Sequence, residues 1–245
     1  MPHGKVEHSL DSIISSKFRF LQPKKGYRIN IDTIILYDFV LKHATGNVLE
    51  IGSSSGVVSI LLSKHKKIKK VTGVEIDPDA YELALQNLKI NNCKRKVVFL
   101  NEDINRYKSI FIPQSFDTVV ANPPFFKYGT GKISKKNGLK IAHHDVHLTI
   151  DTVFQSARYL LKPKGYLILL FTTYRIDEIF ANKRGFNIEQ IRFIHRKVDM
   201  PADTFLILAR KGGGKQLKII PPLIVHDNNG YSKEVINMLN HEALF

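Results

Sequence analysis

The alternation of predicted strands and helices is the feature that most restricts the fold of this chain. Short apolar runs rich in β-branched and aromatic residues alternate with segments whose apolar residues recur at helical spacing. Seven strands are predicted, over residues 47–51, 70–76, 96–100, 116–121, 165–171, 186–194 and 204–209. Helices are predicted over 56–64, 78–91, 149–161, 174–182 and 232–239, with another from about Asp32. This pattern predicts an α/β fold, a mainly parallel sheet with helices on both faces.

The chain shows no internal repeat or low-complexity tract, and 245 residues suffice for one large domain with short appendages. We expect three parts: an N-terminal cap and substrate-side segment over 1–45, the main sheet domain over 46–211, and a C-terminal tail over 212–245 that packs on the same domain. The run Gly212-Gly213-Gly214 marks the start of the tail.

The charge of the chain favours a polyanionic partner. Lysine and arginine outnumber aspartate and glutamate by 37 to 22, and the formal net charge is +15. A generally basic surface is the alternative explanation, but nucleic acid suits such an excess better than an acidic protein does.

The single cysteine, Cys93, excludes an internal disulfide framework. With no signal-peptide or membrane-spanning pattern, we expect a cytoplasmic protein without a membrane partner. The sequence does not indicate an oligomeric state, and a monomer is the default expectation.

A loop of small residues follows the first strand of the main domain, Glu50-Ile51-Gly52-Ser53-Ser54-Ser55-Gly56. Small residues let the backbone approach a ligand, and the next helix offers the positive end of its dipole. The spacing departs from the G-x-G-x-x-G fingerprint, which disfavours a NAD or FAD enzyme. The loop resembles the acidic-x-Gly-x-Gly-x-Gly loop of class I S-adenosylmethionine (SAM)-dependent methyltransferases. Ser54 replaces the middle glycine and has to take that glycine's backbone conformation. The resemblance implies that SAM is bound by Glu50, Gly52, Ser54 and Gly56.

Two acids farther along the chain extend this predicted cofactor site. Glu75 ends the second strand about 20 residues after the loop, where a carboxylate can accept hydrogen bonds from two ribose hydroxyls. The resemblance to the methyltransferases implies this role for Glu75 and places Ile76 against the adenine ring. It also implies that Asp103, after the third strand, accepts from the adenine amino group.

The same loop, with Ser54 at its centre, also matches the G-x-S-x-G nucleophile elbow of α/β-hydrolases. Asp203 and His226 follow it in the right order for a catalytic triad. Two observations count against a hydrolase. The elbow should follow several strands that build the oxyanion hole, whereas this loop follows the first parallel strand. A hydrolase also gives no role to Glu75 or Asp103.

The tetrad Asn122-Pro123-Pro124-Phe125 stands where the predicted fourth strand ends. Two prolines fix the chain as it leaves the sheet, at the edge where open α/β sheets bind ligands. A plain turn is the alternative for an isolated Asn-Pro-Pro. The tetrad resembles the (Asp/Asn/Ser)-Pro-Pro-(Tyr/Phe) signature of methyltransferases that act on adenine-N6, guanine-N2 or glutamine amide nitrogens.

An amino nitrogen conjugated with a ring is a poor nucleophile. The Asn122 side-chain oxygen and the Pro123 carbonyl would accept from its two protons and localise its lone pair, and Phe125 would stack on an extruded base.

Nearly the whole chain resembles the bacterial tRNA adenine-N6 methyltransferases that act beside the anticodon of a valine tRNA. The resemblance is carried by residues 22–36, 50–56, 122–125 and 222–234. Arg28 and Asp32 stand where that family has a basic residue and an acid, so both are expected to bind the cofactor, together with Asn122. The departures are Ser54 and Asn30, which replace glycines. The resemblance implies a Rossmann-like, seven-stranded sheet with an antiparallel last strand, and methyl transfer from SAM to adenine N6 in tRNA.

Other substrates and classes stay open at this point. Ribosomal RNA and a release-factor glutamine are alternative methyl acceptors, and a non-catalytic RNA-binding relative is an alternative of another class. Basic residues on either side of the tetrad and loop are predicted to flank the site and contact RNA phosphates. The residues before the loop are Lys17, Arg19, Lys24, Lys25 and Arg28, and those after the tetrad are Lys127, Lys132, Lys135, Lys136 and Lys140. For the run 64–70 we favour a solvated face.

The segment His143-His144-Asp145-Val146-His147 holds several possible metal ligands. The predicted chemistry needs no metal, and the segment is expected to lead into the helix predicted over 149–161. We therefore expect no metal site.

Overall fold

The computed structural model of the chain describes residues 8–14, 17–24, 28–125, 148–183, 185–214 and 216–240. It begins with an antiparallel hairpin of β1 (His8–Ile13) and β2 (Phe18–Pro23), followed by helix α1 (Ile31–His43). Asn30 caps α1, because its side-chain oxygen accepts from the Thr33 backbone N–H at 3.1 Å. Asparagine is a strong N-cap residue, which gives this departure from glycine a structural role.

The central sheet has the order β5-β4-β3-β6-β7-β9-β8. Its strands are β3 (Gly46–Ile51), β4 (Ile68–Glu75), β5 (Val97–Asn101), β6 (Phe116–Ala121), β7 (Leu161–Thr172), β8 (Phe186–His195) and β9 (Ala202–Lys211). All neighbours from β5 to β7 pair in parallel, whereas β9 is antiparallel to both β7 and β8. The predicted seven-stranded sheet with an antiparallel last strand is confirmed. Two strands of two residues, β10 (Lys218–Ile219) and β11 (Leu223–Ile224), add to β8 and were not predicted.

Helices cover both faces of the sheet, as the sequence predicts. Between the strands lie α2 (Val57–Ser63), α3 (Pro78–Ile90), α4 (Tyr107–Ile110), α5 (Ile150–Leu160) and α6 (Ile176–Asn182). One core cluster joins α1, α2 and α3 to one face, and a second joins α5 and α6 to the other. Asp77 caps α3 and Pro78 opens it, as expected. Helix α4 is one turn long, too short to show helical spacing in the sequence.

The tail forms a small hairpin, β12 (His226–Asp227) with β13 (Gly230–Tyr231), and a last helix, α7 (Lys233–Leu239). Val235 and Met238 of α7 are buried in the same core cluster as α1. Both ends of the described chain therefore pack on one face of the sheet, while the division at residues 45 and 211 stays a prediction. No helix among the described residues has the length and apolar character needed to cross a membrane.

The parallel register defines two edges of the sheet. Ile51 pairs with Val74 on one side and with Ala121 on the other, and Glu75 pairs with Asn101. The C-terminal ends of β3, β4, β5 and β6 therefore lie side by side, at what we call the carboxyl edge. The opposite edge, which we call the amino edge, carries the C-terminal ends of α2 and α3, because these helices run back against the strands.

Candidate active site at the carboxyl edge

The structure brings four predicted segments together at the carboxyl edge. Along the order β5-β4-β3-β6, the strand ends lead into Asp103, Glu75, the loop 52–56 and Asn122. Adjacent strands are about 4.8 Å apart, so three spacings place the four segments within roughly 15 Å. That span suits one extended ligand that contacts all four, at the edge where open α/β sheets bind their ligands.

The loop after β3 owes its shape to three residues with left-handed backbones. Gly52, Ser54 and Gly56 have φ of 71°, 47° and 81°. Ser54 therefore does adopt a conformation that favours glycine, at a cost of roughly 1–2 kcal/mol. At Gly56 a Cβ would lie 2.4 Å from the Phe99 ring, so a side chain is excluded there by space as well as by φ.

Glu75 fixes the loop to the end of β4. Its Oε2 accepts from the Ser54 backbone N–H at 2.7 Å, and its Oε1 accepts from the Asp77 N–H at 2.8 Å. The side chain is buried, so both bonds act with little competition from water. A carboxylate has about four acceptor positions, so two backbone donors do not saturate it. The orientation of Glu75 is thus set before any ligand arrives.

Glu50 lies on the neighbouring strand but has a different environment. Its carboxylate is buried and accepts from both the backbone N–H and the hydroxyl of Ser59 in α2. Burial raises the pKa of Glu50 to about 8, against the two Ser59 hydrogen bonds, and the charge of Glu75 raises it further. Within the structure Glu50 therefore joins β3 to α2, and its predicted contact with the cofactor stays a prediction.

The β5 end of the site carries the predicted adenine contacts. Ile76 and Asp103 are both partly exposed. Asp103 Oδ1 accepts from the backbone and side-chain nitrogens of Asn105, both at 2.9 Å, which fixes the carboxylate at the start of a short 3-10 helix. Asn101 donates to the Glu75 carbonyl at 2.8 Å and so joins this end to β4.

The tetrad 122–125 leaves β6 beside the loop. Asn122 is partly exposed, and among the described residues its side chain has no hydrogen-bond partner. The Phe125 ring meets the Phe171 ring edge-on, with centroids 6.4 Å apart and planes at 80°. Arg175 donates to the carbonyls of Pro124 and Phe125 at 3.3 and 3.4 Å. The segment after Asn122 is therefore held by contacts from outside it, and no hydrogen bond within the described part of the chain engages the Asn122 side chain.

The sequence did not point to Arg175. Its guanidinium forms a fork with Glu178, at 3.0 and 2.9 Å, and lies 4.9 Å from the centre of the Phe171 ring. Only 16% of its side chain is exposed. Spacing of three residues in a predicted helix could have suggested the pair with Glu178. Nothing in the sequence shows that the same guanidinium reaches the tetrad, some 50 positions earlier in the chain.

Arg28 and Asp32 are each paired with a residue outside the predicted site. Arg28 donates to Asp11 of β1 at 2.5 Å. Asp32, in the first turn of α1, accepts from Arg196 at 3.1 Å. Burial raises the pKa of Asp32, and Arg196 opposes that shift. Both stand near the ends of elements that lead to the carboxyl edge, and their contacts with a cofactor stay predictions.

The structure contradicts the hydrolase interpretation. Ser54 follows β3, whereas Asp203 is on β9, three strands away or roughly 14 Å across the sheet. Asp203 accepts from Arg196 at 2.7 Å, and the ring of His226 lies 3.2 Å from the Arg196 carbonyl. The serine that a triad would need is therefore far from the acid, and the acid is paired with an arginine instead of a histidine.

Most of the predicted RNA contacts lie outside the described residues. These are Lys25, Lys127, Lys132, Lys135, Lys136 and Lys140, and the segment 143–147 is outside them too. Lys24 is described and exposed at the end of β2. Lys17 and Arg19 do not flank the site as predicted, because they lie at the amino edge beside the C-terminal end of α3. In the described ranges no group of three metal-ligating side chains is found.

Comparison with known proteins decides the family. The family model described as methyltransferase small domain matches residues 26–176, more than half of the chain. The chain belongs to this methyltransferase family. A tRNA1(Val) (adenine(37)-N6)-methyltransferase of Aliivibrio salmonicida is 26% identical, over 88% of this chain and 90% of the relative. A tRNA1(Val) (adenine(37)-N6)-methyltransferase of Porphyromonas gingivalis is 28% identical, over 62% of this chain and 61% of the relative. A predicted O-methyltransferase from Agrobacterium tumefaciens, solved by crystallography, superposes with a TM-score of 0.68 at 20% identity, covering 87% and 97% of the two chains. The resemblance drawn from the sequence is confirmed, and so is the class I fold.

SAM, the methyl donor of methyltransferases with this fold, fits the groups at the carboxyl edge of this methyltransferase. Among the described residues, a Cβ on Gly52 would meet only the Leu148 side chain, at 3.6 Å, so this part of the structure leaves the loop backbone bare towards a ligand. Beside it stand a fixed carboxylate at Glu75, an apolar side chain at Ile76 and an acceptor at Asp103. These suit a ribose diol, an adenine face and an adenine amino group respectively.

Proposed function

We propose that this methyltransferase transfers a methyl group to the N6 amino group of an adenine in tRNA, the adenine beside the anticodon of a valine tRNA. The observation that carries the proposal is the position of the tetrad 122–125 at the end of β6. There it lies one strand from the loop after β3 and two strands from Glu75 at the end of β4. The names of the two tRNA1(Val) relatives support the substrate.

The reaction depends on how the chain would hold the amino nitrogen. The lone pair of N6 is delocalised into the ring, so the nitrogen is a weak nucleophile until it becomes tetrahedral. The Asn122 side-chain oxygen and the Pro123 carbonyl would each accept a hydrogen bond from one amino proton. Bound SAM would supply an electrophilic methyl group on a positively charged sulfur. With the nitrogen lone pair in line with the bond from sulfur to the methyl carbon, that bond would break as the N–C bond forms, and the surplus proton on N6 would leave to solvent. Positioning then provides most of the rate and no strong base is needed.

Phe125 would provide the face on which an extruded adenine stacks. Its ring abuts Phe171, and Arg175 holds the carbonyls of Pro124 and Phe125. A base that stacks on a fixed ring has less freedom to miss the transfer geometry. This contact with the substrate is the proposed reason that an aromatic residue ends the tetrad.

Glu50, Gly52, Ser54, Gly56, Glu75, Ile76, Asp103, Arg28, Asp32 and Asn122 are the residues proposed to bind SAM. The partner is proposed to be tRNA, held in part by Lys24, Lys25 and the lysines at 127, 132, 135, 136 and 140. The protein is proposed to act as a cytoplasmic monomer, without a metal.

The test is transfer of labelled methyl from SAM to total tRNA that lacks its own modifications, followed by nucleoside digestion and mass spectrometry. We expect N6-methyladenosine with the wild-type protein and none with Asn122→Ala. Label in ribosomal RNA or in a release factor, with tRNA blank, would replace the proposed substrate by that one. A protein that binds RNA but labels no acceptor would be a non-catalytic relative.

A further inference from the structure

A strongly basic surface covers the amino edge of the sheet on the side of β4 and β5. Its exposed members come from four segments, namely Lys17 and Arg19, Lys64, Lys66, Lys67, Lys69 and Lys70, Lys89, and Lys94 and Arg95. We call these residues the amino-edge basic surface. The segments 17–19, 64–70 and 89–96 contain no aspartate or glutamate. The sequence alone favours a solvated face for the run 64–70, but it does not show that three other basic segments lie beside that run.

Hydrogen bonds through Asn91 join these segments into one surface. The Asn91 side chain accepts from the Arg19 N–H at 3.2 Å and donates to the Arg19 carbonyl at 2.8 Å. The Lys64 ammonium donates to the Asn91 carbonyl at 3.1 Å. Lys96 donates to the carbonyls of His65 and Ile68, at 3.3 and 3.1 Å. The basic segments are therefore fixed relative to one another by backbone contacts.

The charge of this surface is not neutralised within the described part of the chain, where none of its lysines and arginines forms an ion pair with a carboxylate. Asp117 is an acid at the amino-edge end of β6, but its carboxylate bonds to groups outside this surface, namely Lys162 and the Asn47 N–H, both at 2.8 Å. The surface is also concave: a cavity of about 390 Å³ is lined by Lys17, Phe18, Arg19, Lys64, Ile90, Asn91 and Asn92. A positive, concave patch whose described segments contain no acid attracts a polyanion.

The position of the surface narrows the choice of polyanion. Strand β4 runs from Ile68 at the amino edge to Glu75 at the carboxyl edge, and at about 3.3 Å per residue the two edges are roughly 25 Å apart. A small anion or a single nucleotide cannot occupy both edges at once. Strand β2 connects them, since its Arg19 end lies at Asn91, whereas Leu21, nearer the Lys24 end, donates to Asn87, which bonds to the Ser55 carbonyl of the loop.

We propose that the amino-edge basic surface binds backbone phosphates of the same RNA whose adenine is methylated at the carboxyl edge. The inference rests on the proposed function and adds to it a second region of contact, on the opposite edge of the sheet. Phosphate contacts there hold a structured RNA by its body while one base is in the site. They contribute affinity without contributing to the chemical step.

The test compares two triple variants with equal changes in net charge. The first, Lys66→Glu with Lys69→Glu and Lys94→Glu, reverses charges on the amino-edge basic surface. The second, Lys164→Glu with Lys183→Glu and Lys218→Glu, reverses exposed lysines elsewhere. The affinity of each for full-length tRNA is measured over a range of salt concentrations. The rate of methyl transfer to a short anticodon stem-loop is measured at saturation.

We expect the first variant to bind full-length tRNA about 10-fold more weakly or worse at low salt, with a log–log salt slope shallower by about 2. The control should change less than about 3-fold, and both should methylate the stem-loop at the wild-type rate. Equal affinities of the two variants for tRNA would refute RNA binding by the amino-edge basic surface, while the proposed methyl transfer would stand. Failure of the wild-type protein to methylate either RNA would overturn the proposed function, and the binding comparison would still test the surface.

Discussion

The carboxyl edge and the amino edge of this sheet are built in opposite ways. At the carboxyl edge Glu75 is held by two backbone N–H groups, and Arg175 is held by a forked ion pair and a ring face. At the amino edge, lysines of the run 64–70 stand exposed and form no ion pair with any described acid. The difference follows from what each edge is proposed to do. Methyl transfer depends on atoms placed to within a fraction of an ångström, whereas attraction to phosphate acts over about 10 Å and tolerates mobile side chains.

The largest effect at the carboxyl edge is expected at Asn122, whose side chain is proposed to touch the reacting nitrogen. Asn122→Ala removes one acceptor and should lower the single-turnover rate, measured at saturating SAM, roughly 10²- to 10³-fold. Asn122→Asp keeps an acceptor at the same position and should retain more activity than alanine does. An alanine variant within a few-fold of wild type would mean that the tetrad is only a turn.

The next largest effect is expected at Glu75. Glu75→Ala removes the acceptor for the Ser54 and Asp77 N–H groups and for the proposed ribose contact, so the SAM dissociation constant should rise roughly 10- to 100-fold. Calorimetric titration with SAM measures this directly. Glu102→Gln, which changes a partly exposed acid on the same edge, is the matched control and should bind SAM normally. Normal binding by Glu75→Ala would remove Glu75 from the cofactor site.

A smaller effect is expected at Arg175, which positions the tetrad without touching the substrate. Arg175→Met should lower kcat about 10-fold and leave the dissociation constants of SAM and tRNA near wild type, because only the placement of the tetrad changes. Arg175→Lys can keep one hydrogen bond and should recover part of the rate. Loss of binding and rate together, with a lowered unfolding temperature, would indicate a purely structural role. Arg106→Met, at an exposed ion pair, is the control.

The smallest effect on the rate is expected at Glu50, whose change should appear in stability instead. The folded chain keeps this carboxyl protonated up to a pKa of about 8, whereas an ordinary glutamate has a pKa near 4.5. The folded state therefore binds more protons between these values, and the stability of the wild type should fall as the pH rises through that window. Glu50→Gln keeps the acceptor for Ser59 and removes the titration.

Denaturant unfolding at several pH values between about 5 and 8 should then give a flatter profile for Glu50→Gln than for the wild type. The variant should also gain stability relative to the wild type towards pH 8. The SAM affinity of the same variant tests the proposed cofactor contact of Glu50: a weakened affinity would support that contact, and a wild-type affinity would leave Glu50 with the bond to Ser59 alone.

Much of the carboxyl edge could be predicted because it depends on local sequence. Strand β6 was predicted with the right limits at 116–121, and the tetrad was placed at its end. Asp77 and Pro78 identified the start of α3 in the same way. Their signals lie within a few residues of one another, so the chain fixes them whatever the rest of the molecule does.

What could not be predicted depends on contacts between distant segments. Lys17 and Arg19 were expected near the site because they precede the loop 50–56 in the chain, with the other basic residues of the N-terminal segment. The hairpin instead docks along α3, where Asn87 and Asn91 bond to its backbone, so the Arg19 end of β2 lies at the far edge. The strands β10 and β11 pair with β8 over only two residues each, which is too short to give a periodic pattern.

The pair of Asp32 with Arg196 has a consequence for the order in which the protein assembles on the ribosome. The two residues are 164 positions apart, so Asp32 emerges long before its partner has been translated. Docking of the first turn of α1 without Arg196 would bury a carboxylate that has no cation beside it, which is unfavourable. The native position of that turn therefore becomes stable only after β8 has been synthesised. A newly made chain completes this part of the carboxyl edge only after the strands from β3 to β7 have been synthesised.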